Sequence, residues 1–171
     1  MRRIYLSLFL SLIIFSSWGQ LPCSNPAYRQ FDFWIGEWDV YSKNGQKAGD
    51  SRISMILDSC IILEEWTSAG LTQGIRYAGK SFNTYNQSTG EWQQTWVDNI
   101  GGSTEFLRGK AETGKVTFFA DHVKDNQGNK FIRRLTFYKL DENKVRQHGE
   151  KSTDEGKTWV TEYDLEYRRR K

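Results

Sequence analysis

The sequence predicts an all-β fold, a single closed antiparallel up-and-down β-barrel of about ten strands. Short segments of alternating apolar and polar residues recur along the chain, and most gaps between them contain glycine, asparagine or aspartate. This is the pattern of strands joined by tight turns. No segment keeps a 3.6-residue periodicity with caps at both ends. Short gaps favour strands that pair with their chain neighbours, and closure removes the exposed edges of such a meander.

The first predicted strand covers residues 32–42 and includes most of the stretch FDFWIGEWDV, residues 31–40. Side chains of a strand alternate between its two faces. One face then carries Trp34, Gly36, Trp38 and Val40. Two tryptophans separated by a glycine indicate a strand that crosses a closed interior, where the glycine leaves space for a close neighbour.

The other predicted strands follow from the same alternation and from the turns between them. Asn44-Gly45 is a strong hairpin signal, and Gly79 is placed to bend a long strand. In the turn at residues 152–159, Asp154 is expected to bond the loop backbone while Trp159 packs beneath. The predicted ranges are 51–57, 61–68, 75–86, 91–98, 103–109, 115–123, 130–140, 145–152 and 158–168.

Residues 1–19 have the composition of a secretory signal peptide. A basic start is followed by the apolar run of residues 4–15 and then by small residues, which predicts cleavage between Gly19 and Gln20. About twelve apolar residues are too few to cross ~30 Å of hydrocarbon. We therefore expect no integral membrane span and a secreted or periplasmic location.

Cleavage leaves one predicted domain, with residues 20–30 as an N-terminal tether and residues 31–171 as the barrel. A mature chain of roughly 150 residues suits a single core. The formal net charge falls from +3 to +1, because the leader holds two arginines and no acidic residue. A nearly neutral chain offers no electrostatic attraction to nucleic acid, so we expect no nucleic-acid partner. The oligomeric state is left open.

Cys23 and Cys60 are the two cysteines of the chain. Export to an oxidising compartment favours a disulfide between them, which would tie the N-terminal segment to the sheet. The alternative is a lipoprotein with a lipidated Cys23, although Pro22 stands where such a signal has a small residue. Two cysteines without a histidine pair at ligand spacing predict no metal site.

Several motifs resemble an uncharacterised bacterial family, the domain of unknown function fifteen seventy-nine. They are FDFWIGEWDV, Cys60 with the Glu64-x-Trp66 pair, WQQTWVDNIGG at residues 92–102 and the closing SxDxGxTW hairpin. The resemblance covers nearly the whole mature chain. It implies a barrel similar to those of lipocalins and fatty-acid-binding proteins, and it implies no established reaction.

Gly36-Glu37-Trp38 also resembles the G-x-W motif of lipocalin first strands. In those barrels the tryptophan plugs one end and packs under a basic residue from the last strand. The resemblance therefore implies that Arg168 or Arg169 covers Trp38.

Alternation also predicts which side chains line the interior. The inward faces carry Trp34 and Trp38, then Ile62, Ser81, Asn83, Trp159, Tyr163, Leu165 and Tyr167, together with the other binding candidates named below. Aromatic walls with a few polar groups are typical of a small-molecule pocket. The candidate ligand-binding residues are Trp38, Glu64, Trp66, Tyr85, Trp92, Gln94, Trp96 and Asp98.

Glu64 and Asp98 are the candidate catalytic residues. A carboxyl group inside an apolar barrel is costly unless it is paired, and burial raises its pKa, which prepares a general acid or base. The alternative is a structural ion pair. The available partners are Arg76, Arg108, Arg133 and Arg134.

Three functions are compatible with these residues. The first is a secreted protein that binds a small, partly apolar molecule between the tryptophans and Tyr85, oriented by Glu64, Gln94 and Asp98. The second is a barrel enzyme (an isomerase, cyclase or hydrolase) that uses Glu64 or Asp98. The third is a structural or interaction protein with a filled interior.

Two histidines leave haem as an open alternative, since related barrels bind its iron through histidine. His122 and His148 lie far apart in the sequence, and His148 shares a strand face with Arg146 and Glu150. We therefore expect no cofactor.

Overall fold

The computed structural model describes residues 22–125 and 127–171, and in this part of the chain it confirms the predicted barrel. Eleven antiparallel strands form one nearly closed sheet. They are β1 Gly36–Ser42, β2 Lys47–Ile56, β3 Ile61–Thr72, β4 Ile75–Asn86, β5 Glu91–Asp98, β6 Ser103–Phe106, β7 Arg108–Glu112, β8 Lys115–Lys124, β9 Lys130–Asp141, β10 Lys144–Ser152 and β11 Val160–Arg169. The predicted signal peptide, residues 1–19, lies outside the described residues.

The strand order is that of an up-and-down barrel. Consecutive strands pair from β1 to β6 and from β7 to β11, and β1 pairs with β11. That last pairing aligns Trp38 with Arg169 and Val40 with Tyr167.

The eleventh strand arises because the segment predicted as residues 103–109 is divided at Leu107. Its first part, β6, pairs with β5, and its second part, β7, pairs with β8. Gly109 permits this crossing, since a Cβ at that position would overlap the carbonyl oxygen of Trp92 on β5. This one segment therefore brings the two ends of the sheet together.

The predicted first strand, residues 32–42, is wrong over residues 32–35. Asp32–Trp34 is a 3₁₀ turn that follows a second one, Pro26–Arg29, and β1 begins only at Gly36. Phe31 and Trp34 are completely buried, and their rings stack with centroids 5.0 Å apart. A 3₁₀ turn has about three residues per turn, so side chains three apart lie on one side. The spacing of three residues between Phe31 and Trp34 therefore matches the 3₁₀ turn and not a strand.

An aromatic plug closes one end of the barrel. We give this name to Phe31, Trp34, Trp38, Phe137 and Tyr167, all of which are buried. The Trp34 and Phe137 ring centroids lie 4.4 Å apart, and the Trp38 indole nitrogen donates to the Trp34 carbonyl oxygen at 2.9 Å. These side chains fill the end of the barrel from which β1 starts.

Of the two arginines implied to cover Trp38, Arg169 does so. Its guanidinium carbon lies 4.3 Å from the centre of the Trp38 ring, and it occupies the space left by the missing side chain of Gly36. Arg168 lies instead over the ring of Tyr41.

The segment predicted as a tether is attached to the barrel through Cys23 and Tyr28. A Cys23–Cys60 disulfide, with Cα atoms 5.1 Å apart, confirms the predicted pairing, so this Cys23 is not free to carry a lipid. Tyr28 is buried, and its ring meets that of Tyr85 edge-on at 5.2 Å. Among the described residues, no helix has the length and apolar character needed to traverse a bilayer.

The turn at residues 152–159 forms as predicted. Asp154 accepts from the Thr158 backbone at 2.9 Å and its hydroxyl at 2.6 Å, while Gly156 has a φ of 87°. The Trp159 indole donates to the Gly156 carbonyl at 3.1 Å. Trp159 lies under the Arg134 guanidinium and outside the barrel cavity, which corrects its predicted inward position.

Candidate functional site

The barrel encloses a cavity of about 580 Å³. Its mouth is formed by the exposed residues Thr72, Gly102 and Ser103, at the end of the barrel opposite the aromatic plug. Aromatic walls are supplied by Trp66, Tyr77, Trp96 and Tyr163, and further apolar contacts by Phe106, Leu135 and Leu165. A volume of this size accommodates a small organic molecule.

A polar floor lies at the inner end of the cavity. It consists of Glu64, Gln94, Gln147 and Tyr167, all of which are buried. Each is an inward residue of a different strand, since alternation along β3, β5, β10 and β11 turns every second side chain to the interior. The cavity is therefore apolar along its walls and polar at its base.

Glu64 is the central residue of the floor, with only 2% of its surface exposed. Its Oε1 accepts hydrogen bonds from the hydroxyls of Ser51 at 2.9 Å and Tyr167 at 3.1 Å, and the single Tyr167 proton is shared with Gln147 Oε1 at 2.7 Å. Its Oε2 accepts one from the hydroxyl of Ser81 at 3.0 Å. Three neutral donors from three other strands thus hold the carboxylate in one orientation.

Burial raises the pKa of Glu64 from 4.5 to about 6, and its hydroxyl partners oppose that rise. No cation contributes to its environment among the described residues, so the hydroxyls alone compensate the lost hydration. The predicted structural ion pair is therefore wrong for Glu64. The four candidate arginines pair elsewhere, with Asp121, Glu162, Glu150 and two backbone carbonyls.

Hydrogen bonds continue from Glu64 along the floor. Ser81, which donates to Glu64, accepts from the Asn83 amide at 3.0 Å. Asn83 in turn accepts from Gln94 Nε2 at 2.7 Å. Gln94 Oε1 has no hydrogen-bond partner among the described residues, so an acceptor of the floor is left free.

Asp98 behaves differently from the prediction of a buried acid or base. It lies near the mouth, where Oδ1 accepts from the backbone of Gly102 at 2.7 Å and Ile100 at 3.1 Å, and Oδ2 from Tyr77 at 3.1 Å. Burial raises its pKa, but these donors outweigh burial and the pKa falls below its ordinary value. Asp98 therefore stabilises the β5–β6 turn as a carboxylate.

Tyr77 connects this turn to the aromatic wall. Its hydroxyl also accepts from the Trp96 indole at 3.2 Å. Burial and the neighbouring carboxylate of Asp98 raise the pKa of Tyr77 to about 12. The hydroxyl is thus protonated at neutral pH and fixes the Trp96 ring.

The structure brings five of the eight candidate ligand-binding residues to the cavity. They are Glu64, Trp66, Gln94, Trp96 and Asp98. The other three, Trp38, Tyr85 and Trp92, belong to the packed region at the plugged end. The Trp92 indole there donates to Gln30 at 3.2 Å.

Tyr77, Gln147 and Arg133 are among the cavity residues that were missed from the sequence. Tyr77 shares the inward face of β4 with Ser81 and Asn83, so extending that alternation identifies it. Gln147 and Arg133 lie on strands for which no inward face was assigned.

The two histidines do not form a site in the described part of the chain. His148 lies on the outer face of β10, with Nε2 3.0 Å from the Thr161 hydroxyl, and it does not line the cavity. The side chain of His122 is outside the described residues. No group of three or more histidine, cysteine or acidic side chains at metal-binding distance occurs among those described.

The chain was compared with protein-family models and with curated proteins. No protein-family model matches the chain, and no curated protein matches it. The family resemblance of its motifs stays a prediction.

Proposed function

We propose that this chain is an exported barrel protein that binds a small, partly apolar molecule inside its cavity. The observation that carries the proposal is the cavity of about 580 Å³ with aromatic walls and a polar floor. Pockets that hold small molecules have this volume and this division of apolar and polar surface.

The arrangement of the cavity defines how a ligand is held. Trp66 and Trp96 offer flat apolar faces to the body of the ligand, while Glu64 and Gln94 fix the polar end beneath them. Apolar contact contributes affinity through removal of surface from water, and the few polar groups determine orientation. A cavity of this size weakens the hypothesis of a filled, purely structural interior.

Export is part of the proposal. The Cys23–Cys60 disulfide supports it, because such bonds persist mainly in oxidising compartments. The predicted signal peptide at residues 1–19 supplies the route. N-terminal sequencing of the protein recovered from the periplasm or medium tests it, with Gln20 as the expected first residue.

Native mass spectrometry of the exported protein is the direct test of binding. A mass excess lost on denaturation identifies a co-purifying molecule, and extraction then yields its chemical class. The stripped protein is next titrated with Nile red, a neutral apolar dye, while tryptophan emission is recorded. We expect a saturable change. A protein without bound molecule and without saturable response contradicts the proposal.

Matched tryptophan variants locate the bound dye. Trp96→Phe removes a cavity ring, whereas Trp92→Phe removes one from the packed region near the plugged end. Binding in the cavity predicts that the emission change shrinks in Trp96→Phe and persists in Trp92→Phe. Equal responses of the two variants place the dye elsewhere.

A second candidate function is a barrel enzyme in which Glu64 acts as general acid or base. The specific observation is the pKa of Glu64, which burial raises to about 6, close to physiological pH. Conversion of the co-purified molecule by wild-type protein and its loss in folded Glu64→Gln, with binding retained, favours the enzyme. Binding without conversion favours the binding protein.

A further inference from the structure

The charges around the cavity do not balance, and the missing charge is positive. The lining contains two carboxylates, Glu64 and Asp98, and one cation, Arg133. The Arg133 guanidinium is occupied by Glu162, at 2.8 Å and 3.1 Å. The buried carboxylate of Glu64 therefore has no counter-charge in the described part of the barrel.

The floor also has hydrogen-bond acceptors to spare. A carboxylate offers about four acceptor positions, and at most three on Glu64 are used, by the hydroxyls of Ser51 and Ser81 and by that of Tyr167, whose single proton Gln147 Oε1 also accepts. The remaining position is on Oε2. Gln94 Oε1 is a second unused acceptor, on a side chain that is 97% buried and lines the same cavity. Both acceptors call for a ligand that donates hydrogen bonds.

The walls suit the same chemistry. Trp66, Trp96, Tyr77 and Tyr163 line the cavity above the floor. Aromatic faces attract cations, most strongly where water is excluded. A group with positive charge and several N–H donors satisfies the carboxylate, the amide oxygen and the rings together.

We propose that the cavity selects molecules whose inner end is a protonated amine, ion-paired with Glu64, with an apolar or aromatic body along Trp66 and Trp96. This inference rests on the proposed binding function and names its ligand class. A ligand carboxylate is disfavoured at the same position, because it would face Glu64 without an intervening cation.

Three probes that differ only in their end group test the selection. They are 4-phenylbutylamine, 4-phenylbutanol and 4-phenylbutyrate, each titrated calorimetrically into stripped wild-type protein at pH 7.5. We expect the amine to bind roughly tenfold or more tightly than the alcohol, as a charge-assisted hydrogen bond provides, and the carboxylate to bind most weakly.

Two neighbouring glutamates give a matched pair of variants. Glu64→Gln removes the charge from the floor and is expected to abolish the preference for the amine over the alcohol. Glu65→Gln makes the same change on the outer face, where Glu65 pairs with Lys80 at 2.8 Å, and is expected to keep the preference. If Glu64→Gln does not fold, the carboxyl ¹³C resonance of Glu64 in wild-type protein supplies the readout, and it must shift when the amine binds.

The outcomes separate the two proposals. The amine selection is overturned if the alcohol or the carboxylate binds as tightly as the amine or more tightly. If Nile red still binds in that case, the proposed binding function is retained. Failure of Nile red and all three probes, with no co-purified molecule, overturns both. An amine preference that survives in Glu64→Gln overturns the assignment to Glu64.

Discussion

Gly79 lies directly beneath the indole ring of Trp96, with no room between them for a side chain. A Cβ added to Gly79 would overlap that ring and would stand 2.7 Å from the Val97 carbonyl oxygen. The pair belongs to neighbouring strands β4 and β5, and Trp96 is a wall of the cavity. The shape of this wall therefore depends on the absence of a side chain at position 79.

Gly79→Ala is expected to destabilise the protein by about 1–3 kcal/mol, since the ring or the β5 backbone must move. Urea unfolding measures the loss of stability. The tryptophan emission of the folded variant reports the displacement of the Trp96 ring. Gly70→Ala is the control, because a Cβ there meets open space. It is expected to change stability by less than ~0.5 kcal/mol. Equal effects of the two variants would show that Gly79 is not under steric constraint.

Arg169→Ala is expected to loosen the plugged end of the barrel. Besides covering Trp38, Arg169 donates to the carbonyl oxygens of Ile35 at 3.0 Å and Glu142 at 3.1 Å. Loss of these interactions predicts a destabilisation of about 1–2 kcal/mol in urea unfolding. The adjacent Arg168 has a more exposed side chain that pairs with Glu166, so Arg168→Ala is expected to cost about 0.5 kcal/mol. A larger loss in Arg168→Ala contradicts this account.

The double variant Cys23→Ser/Cys60→Ser is expected to unfold at lower urea concentration than wild type. The disulfide joins residues 37 positions apart, and closing a loop of this length restricts the unfolded chain by up to about 4 kcal/mol. Reductant should lower the wild-type midpoint to that of the variant and leave the variant unchanged. A wild-type midpoint that does not respond to reductant under denaturing conditions would exclude this contribution.

Much of the barrel follows from local sequence, because each strand is bounded by turn residues and keeps a period of two. The Asp154 turn follows for the same reason, as its determinants lie in a few residues, and the disulfide follows because the chain has two cysteines. The 3₁₀ turn at Asp32–Trp34 did not follow. Its aromatic residues satisfy the strand pattern as well, and the turn is favoured by packing against rings distant in the sequence, such as Phe137 and Tyr167.

The sequence predicts which side chains of the candidate site point inward, but not where along the barrel axis they lie. Alternation identifies which side chains point inward, and it correctly places Glu64 and Trp96 there. It does not say how far along the barrel each side chain lies. Trp92 therefore belongs to the packed region at the plugged end, and Asp98 meets backbone donors at the mouth, since these positions depend on where the plug ends and the cavity begins.

Glu64 is expected to make the barrel more stable as the pH falls from 7 to 4.5. Its pKa is about 6 in the folded protein, against 4.5 for an exposed glutamate, so the folded state binds the proton more tightly. The favourable contribution is complete below about pH 4.5 and is lost as the pH rises through 6, an effect of about 2 kcal/mol. The Glu64→Gln variant has no carboxyl group at this position, so it lacks this pH-dependent contribution. Urea unfolding of both proteins across this range should show that the free energy of unfolding of wild type rises relative to that of the variant as the pH falls.

Asp154→Asn is the control for that titration, since the perturbation of Asp154 has the opposite sign. Hydrogen bonds from Ser152 and Thr158 lower the pKa of Asp154 from 3.8 to about 2. Its contribution is therefore present above pH 4 and lost only as the pH falls toward 2. The stability difference between wild type and Asp154→Asn should stay constant from pH 7 to 4.5, where that of Glu64→Gln changes. A constant difference for Glu64→Gln as well would mean that its carboxyl group is hydrated in the folded barrel, and the floor of the cavity would then be open to water.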